Sequence, residues 1–477
     1  MEFLISGLKG EGMAPGRSNF FRMVLPALLV LAVVLGVELL RVGSPPVVRI
    51  VPLLPAIGRR TPINIEVSEH TRGLSRIRVE LVQGDRTEAL ADRSYSLPSA
   101  FSFWSPASEQ DTIRIEVGRE TIKGLKAASA SIRVTADRAG TWLRRPGPAV
   151  ETLVLPVRLS PPSIQVLSTK TYVAQGGAEA VVYRVGDTAM HDGVRAGEWW
   201  FPGSALPGGG KQDRFAIFAV PCDQTTPQVS LIAADDAGNE AQAGFIDQFF
   251  ARPPRQDRIE LNDSFLNKVV PEIMSHTPDF ADRGSLVDNY LAINGDLRRK
   301  QDQELKALAG RSRPEFLWRQ PFQSVPNAKV MASFAERRSY HYQGREIDRQ
   351  VHLGYDLAVT RRTPVAAANG GVVVMARYFG IYGNTVIVDH GYGLMTLYGH
   401  LSSIGVAEGQ TVARGDTLGQ TGETGLAGGD HLHYSVLLQG LPINPVEWWD
   451  AHWIQDRIAR KLGASWNFTA QPATAAK

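Results

Sequence analysis

Short runs of alternating apolar and polar residues fill most of this chain. Between residues 45 and 160 the runs Val47–Val51, Ile63–Val67, Ile77–Val82, Ile113–Val117 and Ala130–Val134 each predict a strand with one buried face. Gly, Pro, Ser or Asp bounds every run, and strands at that spacing predict a β-sandwich. A second such unit is expected over 161–255, closing with strands at Gln228–Ala234 and Ala241–Phe245. At about residue 256 the period lengthens to that of a helix. Leu261, Phe265, Leu266, Val269 and Val270 share one face, Asn262 to Ser264 offer a cap, and Pro271 is placed to kink or end the helix. A second helix is expected from Ser285 to Leu308, with Leu286, Tyr290, Leu291 and Leu297 inward and Arg298-Arg299-Lys300 on a solvated face. Residues 256–321 thus read as a helical spacer or partner-binding segment. Alternation returns over 322–455 in Val372–Ala376, Thr385–Asp389, Leu394–Tyr398, Thr411–Val412 and Tyr434–Leu438. Dense glycines between these runs mark tight turns, so an antiparallel, mostly β domain is expected. Pro445 opens a closing helix, and 456–477 is a tail.

The N-terminus departs from this pattern. Met23 to Val37 carries no charge, and Lys9, Arg17 and Arg22 precede it. That layout predicts a transmembrane signal anchor at 23–40 with residues 1–22 in the cytoplasm. No small-x-small cleavage site follows, so the anchor is expected to stay. Everything after it is then expected outside the inner membrane, in the periplasm or extracytoplasmic space. The turn Asp235-Asp236-Ala237-Gly238-Asn239 resembles those of immunoglobulin-like bacterial surface modules, which implies that type of sandwich for both units.

Composition narrows the function classes. The 477 residues suggest about three domains. A formal net charge of +3 is too small to argue for nucleic acid and at most helps approach to an acidic polymer. Cys222 is the single cysteine, so an intrachain disulfide is excluded and any metal site must be built without thiolate. Burial, not nucleophilic chemistry, is the expectation for that thiol.

Histidines carry the candidate chemistry. His431-Leu432-His433 places two imidazoles on one side of a strand. His352-Leu353-Gly354-Tyr355-Asp356 offers an imidazole and a carboxylate that a kink at Gly354 can bring onto one ion, and Tyr398-Gly399-His400 adds one more imidazole. Two histidines and one carboxylate suit zinc, and three protein ligands with an open position mark a catalytic site. Of two imidazoles two residues apart, one can bind metal while the other acts as acid or base.

These segments resemble the lysostaphin-type (LytM-like) zinc endopeptidases of peptidoglycan. Pro364-Val365-Ala366-Ala367, Gly383 through Gly391, Val412-Ala413-Arg414-Gly415, Gly422-Glu423-Thr424-Gly425 and Ile443-Asn444-Pro445 fit in order and spacing. The likeness covers about residues 333–449. It implies an antiparallel β catalytic domain of that type, one zinc per chain on His352, Asp356 and His433, and His400 and His431 beside the reacting water. It further implies hydrolysis of peptide bonds in peptidoglycan cross-links or stems, with peptidoglycan as the partner. Asp430 stands where relatives commonly have proline, and Tyr434-Ser435 where an aromatic–acid pair is common. A silent domain that activates a cell-wall amidase is the competing expectation. A third is an envelope scaffold holding protein partners through the N-terminal domains. His70, His191, His276, His341 and His452 are expected outside the site, and His390 is expected to be a structural hydrogen-bonding residue. Trp199-Trp200-Phe201 is expected to pack in a core or at a sheet edge.

Overall fold

The computed structural model describes residues 17–40, 43–96, 108–141 and 143–470. Lys9 and most of the expected cytoplasmic segment lie outside the described residues, as do residues 471–477 of the tail. The chain divides into two compact units, one running to Ser160 and including Asp236–Asn239, the other comprising Pro161–Asp235 and the chain from Glu240 on.

In the first unit, strands Val47–Pro52, Thr61–Ser68 and Gln110–Val117 form one antiparallel sheet. Arg86–Ser94, Leu74–Gln83, Ala128–Arg138 and Ala149–Val157 form the other. Alternate residues from both, such as Ile63, Ile65, Ile77, Val79, Ile132 and Val134, fill one core. Period-two burial is what a sheet with one covered face requires. Residues Arg17–Leu40 are helical, with Leu25, Leu28, Leu29 and Leu35 exposed. Among the described residues, no helix is long and apolar enough to cross a membrane.

The second unit opens with two four-stranded sheets. One orders Ser204–Ala205, Asp213–Ala219, Ala178–Val185 and Ile164–Val166; the other orders Trp199–Pro202, His191–Ala196, Val229–Ala234 and Glu240–Ala243. Phe201, Phe215, Phe218 and Leu231 pack between them. Phe201 is fully buried while Trp200 is half-exposed, so the aromatic cluster does pack at a core edge. The same core runs without a break into the C-terminal part, through Trp318, Phe322 and Trp448.

That part is built on an eight-stranded sheet. Its order is Lys329–Ala332, Tyr355–Ala358, Leu432–Leu438, Leu394–Leu401, Asn384–Asp389, Gly371–Tyr378 and Thr411–Val412, with Leu441–Ile443 also paired to Leu432–Leu438. Every pairing is antiparallel. Each strand expected from 372 onward is present, one to three residues longer in several cases.

Residues 256–321 depart most from expectation. Gln256–Leu261 is a strand, not the start of a helix, and pairs parallel with Glu336–Tyr342. The helix begins at Asp263, where the Asn262 side chain caps the Phe265 N–H. Pro271 does not end it; the helix runs on to Ser275. One lost backbone bond is outweighed by burial of Leu266, Val269, Val270 and Ile273. The second helix, capped by Ser285, is interrupted by a π-turn at Ile293–Leu297 before resuming over Arg298–Leu308. Both helices share a core with the large sheet. Their apolar faces pack on Met375, Ile387, Met395 and Leu397 of the large sheet.

His390 illustrates how tightly that sheet is finished. Its Nδ1 lies 2.7 Å from the Gly370 carbonyl and its Nε2 2.8 Å from Thr396 Oγ1. Tyr398 Oη lies 2.9 Å from Thr396 Oγ1 and accepts from the Ala368 N–H at 2.7 Å. One proton arrangement satisfies all of them: Nδ1–H donates to Gly370, Tyr398 donates to Thr396, and Thr396 donates to Nε2. That arrangement requires a neutral ring, and burial lowers the imidazole to about 4.

Two outcomes are expected. In the unfolded chain an imidazole titrates near 6.5, so His390 contributes stability that is complete above that pH and is lost as pH falls toward 4. Denaturant unfolding at pH 7 and pH 4.5 should show about 2–3 kcal/mol of acid destabilisation that disappears in His390→Gln. Leu266→Ala should destabilise the C-terminal part by about 2–5 kcal/mol through the cavity it leaves. An unchanged melting temperature in that variant would return the helices to the role of a spacer.

Candidate active site

Strand register brings the first two groups together. Tyr355–Ala358 runs antiparallel to Leu432–Leu438, with Asp356 directly opposite His433. His352 ends the strand Arg345–His352, and the chain turns at Gly354. A Cβ on Gly354 would lie 2.6 Å from the His433 ring and from Ser435 Oγ, so the turn can cross the imidazole only with glycine there. Leu394–Leu401 flanks the other side and sets Gly399 opposite His433, leaving His400 at the rim. His400 has a φ of 60°, the left-handed region. His431 pairs with Gly422 just before its strand begins.

Three atoms converge. Asp356 Oδ1 lies 3.0 Å from His352 Nε2 and 2.9 Å from His433 Nδ1, and the two nitrogens are 3.2 Å apart. The far side of each ring explains its orientation. His352 Nδ1–H donates to the Ser333 carbonyl at 3.0 Å. His433 Nε2 lies 3.0 Å from Ser435 Oγ, whose own hydrogen goes to the Leu353 carbonyl at 2.8 Å. Ser435 therefore accepts from His433, which places that ring's proton on Nε2 and a lone pair on Nδ1. With both N–H groups turned outward, three acceptors face one another at hydrogen-bond distance with no hydrogen between them. A divalent cation is the group that such a donor set fits, and the chemistry of two imidazoles and a carboxylate suits zinc.

Two imidazoles stand beside this cluster. His400 Nδ1–H donates to the Thr424 carbonyl at 2.7 Å, and His431 Nδ1–H to the Gly429 carbonyl at 2.8 Å. Both therefore turn Nε2 toward the site, with ring centroids 4.8 Å apart. His431 Nε2 lies 3.5 Å from Asp356 Oδ1. Their environments push them in opposite directions. Burial, then the neighbouring His431 and His433, hold His400 well below 6.5. Burial also works to lower His431, but the Asp356 carboxylate outweighs it and raises the ring. Burial takes His433 down to about 4, so its lone pair is available at neutral pH. Burial would raise Asp356, yet the charge and hydrogen bonds of His352, His431 and His433 hold it well below the usual carboxylate range.

All five expected residues line one cavity of about 820 Å³. His70, His191, His276, His341 and His452 lie elsewhere. Cys222 is half-buried, and burial pushes its thiol up to about 11. Several functional contacts were not foreseen. Arg338 Nη2 binds Asp356 Oδ2 at 3.1 Å, leaving Oδ1 for the cluster. It comes from the strand Glu336–Tyr342, and no local pattern announces it. Ser435 reads in the sequence only as a departure from relatives, although the two-residue strand period puts it on the face of His433. Glu272, on the helix Asp263–Ser275, accepts from the Gly425 N–H at 3.0 Å. It thereby fixes the loop whose Thr424 carbonyl orients His400.

Part of this chain is similar to known proteins. Residues 350–445 match the family model described as peptidase family M23. Peptidoglycan DD-endopeptidase ShyA of Vibrio cholerae serotype O1 is 34% identical over 165 residues, 35% of this chain and 35% of that protein. DD-carboxypeptidase/endopeptidase Mpg of Neisseria meningitidis serogroup B is 43% identical over 97 residues, 20% of this chain and 22% of that protein. The chain thus spans about a third or less of the length of these curated relatives. A solved zinc containing peptidase from Vibrio cholerae aligns over 90% of this chain and 94% of its own at 13% identity, with a TM-score of 0.24, too low to bear on the fold. The family match and the convergent side chains fall on one stretch of sequence: residues 350–445 are a peptidase family M23 domain.

Proposed function

We propose that this protein is a zinc-dependent endopeptidase that hydrolyses peptide bonds of peptidoglycan cross-links or stems. The observation that carries the reading is the convergence of three inward-facing acceptors, His352 Nε2, Asp356 Oδ1 and His433 Nδ1, beside two free imidazole nitrogens in one cavity. The name of the Vibrio cholerae relative, peptidoglycan DD-endopeptidase ShyA, supports peptidoglycan as the substrate.

His352, Asp356 and His433 would hold the ion. When bound, zinc supplies Lewis acidity, bringing the pKa of water at the site to about 7 and polarising the scissile carbonyl. The rest falls to the chain. His400, kept neutral, takes a proton from the attacking water at Nε2. His431, kept basic by Asp356, carries a proton at Nε2 that it donates toward the carbonyl oxygen or the departing nitrogen. Thr424 and Gly429 hold both rings in the required tautomer. Arg338 and Ser435 keep Asp356 and His433 aimed inward. Cleavage proceeds by direct attack of water, without a covalent enzyme intermediate.

The reading extends to location. The apolar, exposed residues of the Arg17–Leu40 helix and its basic flank support a signal anchor at 23–40, with the M23 domain in the periplasm or extracytoplasmic space. The two-sheet units then suit immunoglobulin-like modules that position the enzyme among envelope partners. Protease added to intact spheroplasts should digest the chain beyond Val47; protection of that region would overturn this placement.

Metal and chemistry separate by substitution. His352→Ala, Asp356→Ala and His433→Ala should each lose zinc by elemental analysis, because two ligands remain. His400→Ala and His431→Ala should keep zinc and lose about 10²–10⁴-fold in kcat for release of soluble muropeptides. Wild-type turnover in both of the latter, with zinc retained, would sink the acid–base assignment.

A further inference from the structure

The cavity wall carries a cation that the mechanism does not use. Lys268, Arg298 and Arg338 all line the cavity that holds the five site residues. Lys268 is neutralised by Glu423 at 2.9 Å and Arg338 by Asp356 at 3.1 Å. Arg298 forms no ion pair among the described residues. Asp302, one turn further along the same helix, acts on it only through space.

Arg298 is nevertheless held firmly. Its Nε donates to the Asn294 carbonyl at 3.1 Å and its Nη2 to Asn294 Oδ1 at 2.5 Å. Asn294 is fully buried, and its own Nδ2 donates to Asp348 Oδ2 at 2.7 Å. That bond fixes the amide so that its oxygen must face Arg298. The π-turn at Ile293–Leu297 makes this possible by widening the helix where Asn294 and Arg298 meet. One edge of the guanidinium is thus spent on Asn294. The opposite edge, with Nη1 and the second Nη2 hydrogen, keeps two parallel N–H groups unused. A planar fork of that kind matches a carboxylate in two-point geometry, which an ammonium cannot do.

We propose that Arg298 is a substrate-binding residue that receives a free carboxylate of the stem peptide. The proposal rests on the peptidase reading and adds the feature of the substrate that this wall recognises. A stem peptide offers such a group in two places: on the residue whose nitrogen is released, and on residues further along the stem. The shared chemistry is a carboxylate beside the scissile bond. An unsatisfied guanidinium facing the cavity would reject an uncharged analogue, because binding it would strip water from the cation and give nothing back.

The test uses the full chain loaded with zinc and three synthetic cross-linked stem peptides. One keeps every carboxylate free, one is amidated at the residue bearing the scissile nitrogen, and one is amidated further along. In the wild type, one of the two amidations should lower kcat/KM by about 10- to 100-fold, mainly through KM. The arm that responds identifies the source of the carboxylate. Arg298→Gln should lose the same factor on the free acid, lose nothing further on the responding amide, and keep its zinc. Arg298→Lys should recover only part of the loss. Equal cleavage of all three peptides by the wild type would overturn the proposal, whether or not the variants fold. So would an Arg298→Gln loss that is the same on every peptide. A zinc-loaded wild type that cuts none of the three would instead remove the peptidase reading, and this inference with it.

Discussion

Everything at the site depends on one register. Asp356 sits opposite His433 because two antiparallel strands pair in that alignment and no other. A slip of one residue in either strand would turn that strand's side chain to the far face of the sheet. The alignment is pinned from several directions. Gly354 lets the chain pass over the His433 ring, Ser435 ties that ring to the Leu353 carbonyl, and Arg338 takes the second oxygen of Asp356. A group of acceptors aimed at one another is unfavourable without a cation, so this register is stable only if neighbouring contacts impose it.

His400 and His431 drift in opposite directions because burial prevails at the first and the Asp356 carboxylate at the second. His431 approaches Asp356 and is raised; His400, buried between two other imidazoles, is lowered. Identical side chains thus acquire opposite shifts without any change of fold. The helices over 263–308 take part in that division. Glu272 steadies the Thr424 loop behind His400, and Asn294 presents Arg298 to the same cavity. What reads as an accessory segment is one wall of the site.

The site was legible in the sequence far better than its surroundings. His352, Asp356, His400, His431 and His433 carry their signal locally, in spacings that a strand or a glycine turn converts into convergence. The strands of the large sheet were legible for the same reason, since period-two burial is written residue by residue. Gln256–Leu261 was not, because its partner lies about eighty residues away at Glu336–Tyr342 and parallel pairing leaves no local mark. Leu266, Val269 and Val270 showed that the helix has a buried face but not what covers it. Arg338 and Glu272 reach the site across sheets and loops, and their neighbours in sequence do not hint at it. The basic run around Arg298 reads as a solvated face, whereas Arg298 is half-buried and lines the cavity next to a π-turn that sequence period does not foretell.

The backbone at His400 has a meaning apart from the ring's chemistry. A φ of 60° is a conformation that a residue with a Cβ adopts at a cost on the order of 1 kcal/mol, and that glycine adopts freely. Folding alone would thus favour glycine at this position, as it does at Gly391 and Gly393. Histidine there carries a conformational cost that the proposed proton transfer would offset. Sequences drifting under selection for stability alone would be drawn to lose the imidazole at position 400 before the ligands of the cluster. The most economical route from the proposed hydrolase to an inert binding protein would then pass through the backbone of a single strand end.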